Sequence, residues 1–334
     1  MANEMNWVNH SGVLTNEDLN KSFQRVAQPL FRFRQFVKFK EAFGKHKGQS
    51  QNWLKVSNAS DFGGTLVETN TMHETTQALV WGTVTVNEYG LSIPMTFKVQ
   101  ALSEFDVKQI IRESLMDDMV KVIDGSVERE FNKTLLRYTG LTASTSSITT
   151  NGTVTDTNTS TLNSFHLRKM ALQLKTRNVP GFTGLGGSYV AILSHEAHES
   201  LVGALESTNQ YTTQGYEKIL NGEVGKWNDI RIVSDGFASR LNYDASARTA
   251  DTTVDVGSSA AGSNWGGGLS GGGYVFGSPT VREIVAVPEE IRAKVVTDYG
   301  RSHGLGWYGI FGWKIEWDTS GGANSRIIKW DSAA

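Results

Sequence analysis

The most regular pattern in the chain lies between residues 104 and 138. Val107, Ile111, Leu115, Met119, Ile123, Val127, Phe131 and Leu135 recur every four residues, and Ile110, Val122 and Leu136 widen the stripe. This spacing predicts one long amphipathic helix over 104–138. Ser103-x-x-Asp106 reads as its capping start and Gly140 as its stop. At 1.5 Å per residue such a helix is about 50 Å long. Gly125 inside it costs about 1 kcal/mol against Ala and marks a candidate bend. A pure four-residue spacing winds around the helix, so no coiled-coil seam is expected.

Elsewhere the dominant period is two. The run Phe31-Arg32-Phe33-Arg34-Gln35-Phe36-Val37-Lys38-Phe39-Lys40 alternates. An extended segment there carries Phe31, Phe33, Val37 and Phe39 on one side and Arg32, Arg34, Lys38 and Lys40 on the other. Trp53-Leu54-Lys55-Val56 and the stretch 80–86 are rich in β-branched and aromatic residues and predict two strands. The polar stretch 57–77 separates them, which predicts a protruding hairpin with a long loop. A protrusion that buries little of itself needs a neighbour to pack on.

The rest alternates between turns and short elements. Residues 141–162 are mostly Thr and Ser, with Asn151-Gly152 as a turn signal, and read as polar strands or a surface loop. Ser164 caps a second helix to about Lys175, and Ser194 caps another to Glu206. Residues 189–193, 230–233, 274–276, 284–287 and 308–317 read as strands, and 244–273 as a Gly/Ser-rich loop or weak hairpin. The expected class is therefore α+β.

Composition narrows the function. Lys plus Arg is 32 and Asp plus Glu is 34, a near-neutral balance that argues against a globally basic nucleic-acid binder. No cysteine is present, which excludes disulfides, Cys-ligated zinc and a thiol nucleophile. No apolar run approaches the roughly 20 residues of a membrane span. Residues 1–10 lack a charged-then-apolar signal pattern, so synthesis in the cytosol is expected.

Four motifs look like chemistry. His195-Glu196-Ala197-His198 places two histidines three apart, whereas a zincin helix needs four so that both face one side. Gly268-Leu269-Ser270-Gly271-Gly272 matches G-x-S-x-G, with Asp298 and His303 downstream, but it lies in a glycine-rich tract without the strand-then-helix context an elbow requires. Gly304-Leu305-Gly306-Trp307-Tyr308-Gly309 matches G-x-G-x-x-G but leads into an aromatic strand, not a helix N-terminus. Gly222-Glu223-Val224-Gly225-Lys226 lacks the Walker spacing. No catalytic constellation, metal site or cofactor site is expected, and a metal- or serine-dependent hydrolase using His195/His198 or Ser270 stays as the alternative of a different class.

The basic arm has two readings. Its Lys and Arg beside aromatics could touch nucleic-acid backbone, or its basic face could meet an acidic face of another subunit. The near-neutral whole favours the second. The candidate subunit-interface residues are then Arg32, Arg34, Lys38 and Lys40 of the arm, Trp53 and Lys55 of the hairpin, and Asp117, Asp118 and Glu128 of the long helix as acidic partners.

The order of parts resembles the major capsid proteins of tailed bacteriophages, the Johnson-type coat fold, and within it the podovirus-type subgroup. The residues that carry the likeness are Lys45-x-Lys47-Gly48, then 81–90 before the helix, Gly222 to Lys226 with Ile230-Arg231-Ile232-Val233, Tyr274-Val275-Phe276-Gly277, Tyr299-Gly300-Arg301 and Phe311-Gly312-Trp313-Lys314. The resemblance spans about residues 20–320. It implies an N-terminal arm over 1–45 and an E-loop hairpin over 46–92 reaching over a neighbouring subunit. It implies a P-domain over 93–159 and 274–334, with its spine helix at 104–138, and an α/β A-domain over 160–273. It also implies self-assembly as hexamers and pentamers into an icosahedral shell around double-stranded DNA held by loose contact. Further implied partners are a separate scaffolding protein, a portal and a decoration protein. The location would be the virion, with host cytoplasm before assembly. An encapsulin-like compartment shell is the nearby alternative.

Overall fold

The structure is a computed structural model. It describes residues 32–40, 48–56, 64–66, 68–69, 71–72, 74–77, 79–152, 156, 160–194, 197–198, 201, 223–227, 229–235, 242–244, 249–251, 271–296, 298–317 and 324–332. The chain runs through β1 (Lys38–Lys40), β2 (Ser50–Val56), β3 (Leu79–Thr85), β4 (Asn87–Thr96), helix α1 (Phe97–Leu102) and the long helix α2 (Val107–Asn132). Next come β5 (Leu136–Thr142), β6 (Thr145–Thr149), α3 (Ser164–Thr176), β7 (Tyr189–Leu193), β8 (Glu223–Trp227) and β9 (Ile230–Ser234). The chain ends with β10 (Asn242–Asp244), β11 (Thr249–Asp251), β12 (Gly271–Phe276), β13 (Val281–Ala293), β14 (Ser302–Ile315) and β15 (Ile327–Ser332). The class is α+β, as the sequence pattern predicts.

Helix α2 is shorter than its hydrophobic pattern. Its cap is Asp106, whose carboxylate accepts the N–H groups of Lys108 and Gln109 and so satisfies two orphan donors of the first turn. It stops at Lys133, because the next residues serve a strand. Leu136 and Tyr138, two apart and both buried, fit period two as well as the helical stripe. The parallel edge of β15 then supplies hydrogen bonds that a continued helix would not need. One face of the first half of α2 is buried through Val107, Ile111 and Leu115, whereas residues 122–128 are all buried.

That enclosure comes from two sheets meeting on α2. One has four strands in the order β1-β13-β14-β4, and its Val285, Trp307, Phe311 and Ile315 join Ile111, Leu115, Val127 and Phe131 in one core. The other has seven strands in the order β6-β5-β15-β12-β7-β9-β8. It is covered on both faces. Val190, Ile192, Tyr274 and Phe276 belong to the core with α2, while Ala191, Leu193, Val275 and Trp330 pack with Leu167, Met170 and Leu174 of α3. Continuous burial of 189–193 follows from this two-sided cover. The seven-stranded sheet draws β5 and β6, β7 to β9, and β12 with β15 from three consecutive parts of the chain. It therefore runs across the boundaries at 159/160 and 273/274 that the sequence suggested between domains.

The arm does not form one alternating strand. Residues Arg34–Phe36 make a short 3-10 turn, and only Lys38–Lys40 is extended, pairing in parallel with β13. The turn brings Phe33 and Phe36 to one side, three residues apart, and both are buried. Phe33 meets Phe131 and Tyr274 edge-on at 5.4 and 5.7 Å, and Phe36 meets Phe276 at 5.3 Å. Such aromatic pairs add about 0.5–1.5 kcal/mol each beyond area burial, which outweighs the pull of simple alternation. The helix capped by Ser194 does begin there, with its hydroxyl accepting the Ala197 N–H at 3.2 Å. Residues 202–206 of that helix lie outside the described residues.

Candidate interaction surface

Strands β2 and β3 form an antiparallel hairpin in which Trp53 faces Gly82, Leu54 faces Trp81 and Val56 faces Leu79. Alternation gives it two faces of different fate. Trp53, Lys55 and Val84 turn inward, and Trp53 and Val84 pack with Val86 and Ile284 as a small separate core. Trp53 fits because Gly82 has no side chain: a Cβ there would sit 2.3 Å from the indole. The Arg282 guanidinium lies 4.7 Å from the Trp53 ring centroid, a cation–π contact that joins the hairpin to β13.

The outward face is polar at its root, where Asn52 pairs with Thr83, and apolar and exposed toward its tip. Leu54 is 46%, Val56 52%, Leu79 57% and Trp81 68% exposed. These four residues form two adjacent cross-strand pairs, so they make one contiguous ladder rather than scattered surface hydrophobics. Nothing in the sequence marks which face of the hairpin is covered. Trp53 and Lys55, chosen from the sequence as interface residues, prove internal, and their neighbours Leu54 and Val56 are outward. The side of a period-two pattern depends on which strand it packs against.

The arm's basic residues are also spent mostly within the chain. Arg34 donates to Glu283 at 3.1 Å and to Glu289 at 2.6 Å. Burial pushes the Arg34 guanidinium down, but the two carboxylates together outweigh it and hold the group above its ordinary range. Glu283 is 1% exposed and burial pushes it up, while the Arg34 charge opposes that push. Burial pushes Glu289 up, but the hydrogen bond and charge of Arg34, with a backbone hydrogen bond, together hold it below its ordinary value. Lys38 stays exposed and lies 4.0 Å from Glu316. Arg32 is half-buried, and the side chain of Lys40 lies outside the described residues.

The acidic partners expected on α2 have other roles. Asp118 accepts the Trp307 indole N–H at 2.8 Å. Glu128, buried, accepts the Tyr274 hydroxyl. Asp117 is half-buried. The carboxylate that meets the arm is Asp124, which the sequence did not single out because it sits in an apolar helical stretch. It accepts the backbone N–H of Phe33 at 3.0 Å, of Arg34 at 3.1 Å and of Arg32 at 3.2–3.3 Å. Three successive amides thus converge on one buried carboxylate, a nest closed by an acid from another element. Burial pushes Asp124 up to about 7, the arm's N–H donors pull it down, and the charge of Asp235 adds to the rise.

The motifs with a chemical look find other contexts. Gly268-x-Ser270-x-Gly272 leads into β12, a strand rather than a helix, and Ser270 itself lies outside the described residues. Residues 304–309 lie inside β14, away from any helix start. His198 is buried, and His195 lies outside the described residues. His303 sits on β14 with its ring 6.0 Å from that of Phe97. Among the described residues, no group of three or more His, Asp or Glu could hold a metal ion, and no helix is long and apolar enough to cross a membrane.

No protein-family model and no curated protein matches the sequence. Solved structures do match it in shape. The head structure of Helicobacter pylori bacteriophage KHP40 superposes with a TM-score of 0.67 at 12% identity, covering 100% of both chains. The capsid of Ralstonia phage GP4 gives 0.65 at 12% identity, over 96% of this chain and 95% of that one. The capsid of cyanophage P-SCSP1u gives 0.64 at 12% identity, over 96% and 93%. The chain has the fold of phage capsid proteins. At such low identity what is shared is the arrangement of elements. The apolar ladder of the hairpin and the Asp124 nest are properties of this sequence placed on that capsid fold.

Proposed function

We propose that the chain is a major capsid protein of a tailed phage, assembling with copies of itself, as hexamers and pentamers, into an icosahedral shell around double-stranded DNA. The observation that carries this is the end-to-end likeness to capsid subunits, over nearly all of both chains. The exposed ladder of Leu54, Val56, Leu79 and Trp81 supports it, because a projecting apolar face gains by packing on a second copy. On this reading residues 46–92 are an E-loop, 93–159 and 274–334 a P-domain with α2 as its spine, and 160–273 an A-domain, the seven-stranded sheet being shared by the last two. The protein then acts as a building block and not as an enzyme. Podovirus-type relatives, a separate scaffolding protein, a portal and a decoration protein complete the proposal, with the virion as the final location.

The test is particle size of the purified protein, by sedimentation and negative-stain electron microscopy of one sample, with and without its candidate scaffold. Rings or closed shells support the proposal, and their contents separate a DNA container from a compartment that holds enzyme cargo. A chain that stays monomeric with the scaffold present overturns it.

A further inference from the structure

Charge is unevenly distributed along this near-neutral chain. Residues 131–195 hold six Lys or Arg and one carboxylate, Asp156. Helix α3 concentrates the excess. It carries Arg168, Lys169 and Lys175 and no Asp or Glu, whereas α2 mixes four cations with six carboxylates. Arg34 of the arm, by contrast, is neutralised by Glu283 and Glu289 within the subunit.

Helical spacing puts the three α3 cations on one side. His166, Leu167, Met170, Ala171 and Leu174 are buried. That turns Phe165, Arg168, Lys169, Leu172, Lys175 and Thr176, at intervals of three and four, away from the core. The charged ends of Arg168 and Lys169 lie 5.9 and 5.5 Å from the Phe165 ring centroid. Neither has a carboxylate partner among the described residues, so the ring positions both cations and leaves their charge uncompensated. Lys175 pairs with Asp229 at 2.8 Å, but both are about half-exposed and solvent screens the pair. The turn between β5 and β6 sits beside the start of α3, where Asn163 donates to the Ala143 carbonyl at 3.0 Å. It adds the exposed Thr142, Ser144 and Thr145, neutral groups that bring no repulsion for an anion.

We propose that the outer face of α3 is the surface through which the subunit touches a nucleic-acid backbone, an inference that rests on the reading of the chain as a DNA-enclosing capsid protein. A protein partner calls for an apolar anchor, and the exposed aliphatic side chain on this face is Leu172 alone, at 51%. A duplex needs no anchor or pocket. It presents one phosphate charge per about 1.7 Å of axis, and separate surface cations hold it through salt-sensitive contacts. Residues 165–176 rise about 16 Å, enough to face several phosphates. Two or three cations per subunit give a weak contact, which many copies in a shell multiply.

Fluorescence anisotropy of a labelled DNA duplex, titrated with the full-length subunit at several salt concentrations, tests it. Binding without sequence preference is expected, with a slope of log K against log salt of about −2 to −3. Arg168→Gln/Lys169→Gln is expected to weaken binding at least tenfold at low salt and to flatten the slope by about 2. Lys108→Gln/Lys121→Gln, on the exposed mixed-charge face of α2, is expected to change neither. Should the α3 double variant lose its native circular dichroism, Arg168→Gln alone, at an exposed position, is expected to weaken binding several-fold and flatten the slope by about 1. No duplex binding by the native subunit, or equal affinity and salt slope in the native and α3 variants, overturns the proposal. Tighter binding of an acidic amphipathic peptide than of the duplex, lost in the α3 variant, also overturns it and assigns the face to a protein partner. Sedimentation of the same preparations separates this from the wider reading. Shells that form while the α3 face proves silent sink this inference alone, whereas a chain that never assembles sinks the reading beneath it.

Discussion

Replacing Asp124 by Asn should remove a large pH dependence from the stability of the subunit. In the native fold this carboxyl is 4% exposed and titrates at about 7, against an ordinary value of 3.8. The folded state therefore keeps a proton that the unfolded state releases between about pH 4 and pH 7. Stability from this group is fully present below pH 4, falls as pH rises through that window, and is flat above it. A displacement of about 3 units corresponds to about 4 kcal/mol over the full window, of which about 2.5 kcal/mol falls between pH 5 and pH 8. Asn keeps Oδ1 as acceptor for Phe33 and Arg34 but does not titrate. Urea unfolding of soluble subunits at pH 5 and pH 8 should show the native protein losing about 2.5 kcal/mol more than Asp124→Asn. Asp124→Ala should be worse than Asn at both pH values by about 3 kcal/mol, because three amide donors lose their acceptor, one of them fully buried. Equal pH slopes for native protein and Asp124→Asn would refute the argument.

Three further outcomes follow from the packing. Arg34→Ala should cost about 3–5 kcal/mol of unfolding free energy, since it strands the buried Glu283 carboxylate, and Glu283→Gln in that background should recover part of it. Leu54→Ser/Trp81→Ser should change subunit stability by less than about 1 kcal/mol, because both are exposed, yet should abolish particle formation in sedimentation. Deletion of residues 1–45 should lower the thermal midpoint of the subunit itself, because it removes Phe33, Phe36 and β1 from the fold, and should lower it further than deletion of 1–31, which spares those contacts.

That last contrast corrects an expectation drawn from the arm's sequence. Alternating Phe and Lys/Arg suggested an extended segment whose basic face meets an acidic face of another subunit. Phe33 and Phe36 instead belong to the main core, so part of this arm is structural.

By itself the sequence determined the local elements. A four-residue apolar stripe widened by Ile110 and Val122 marked α2, because a helix gathers positions three and four apart on one face, whereas a strand's period of two does not. Alternation with β-branched and aromatic residues likewise marked β2, β3 and β14, and the polar stretch between β2 and β3 marked their hairpin. Tertiary structure decided what depends on partners far along the chain. It ended α2 at Asn132, because β15 offered Leu136 to Tyr138 a hydrogen-bonding edge. It chose Trp53 and Lys55 for the inside of the hairpin and left Leu54 and Val56 outside, because Ile284 lay on one side only. It brought Asp124 to the amides of residues 32–34 across 90–92 positions of sequence. A periodic pattern records which residues share a face, but the surface that covers that face is set by distant strands, and their pairing leaves no local trace in the sequence.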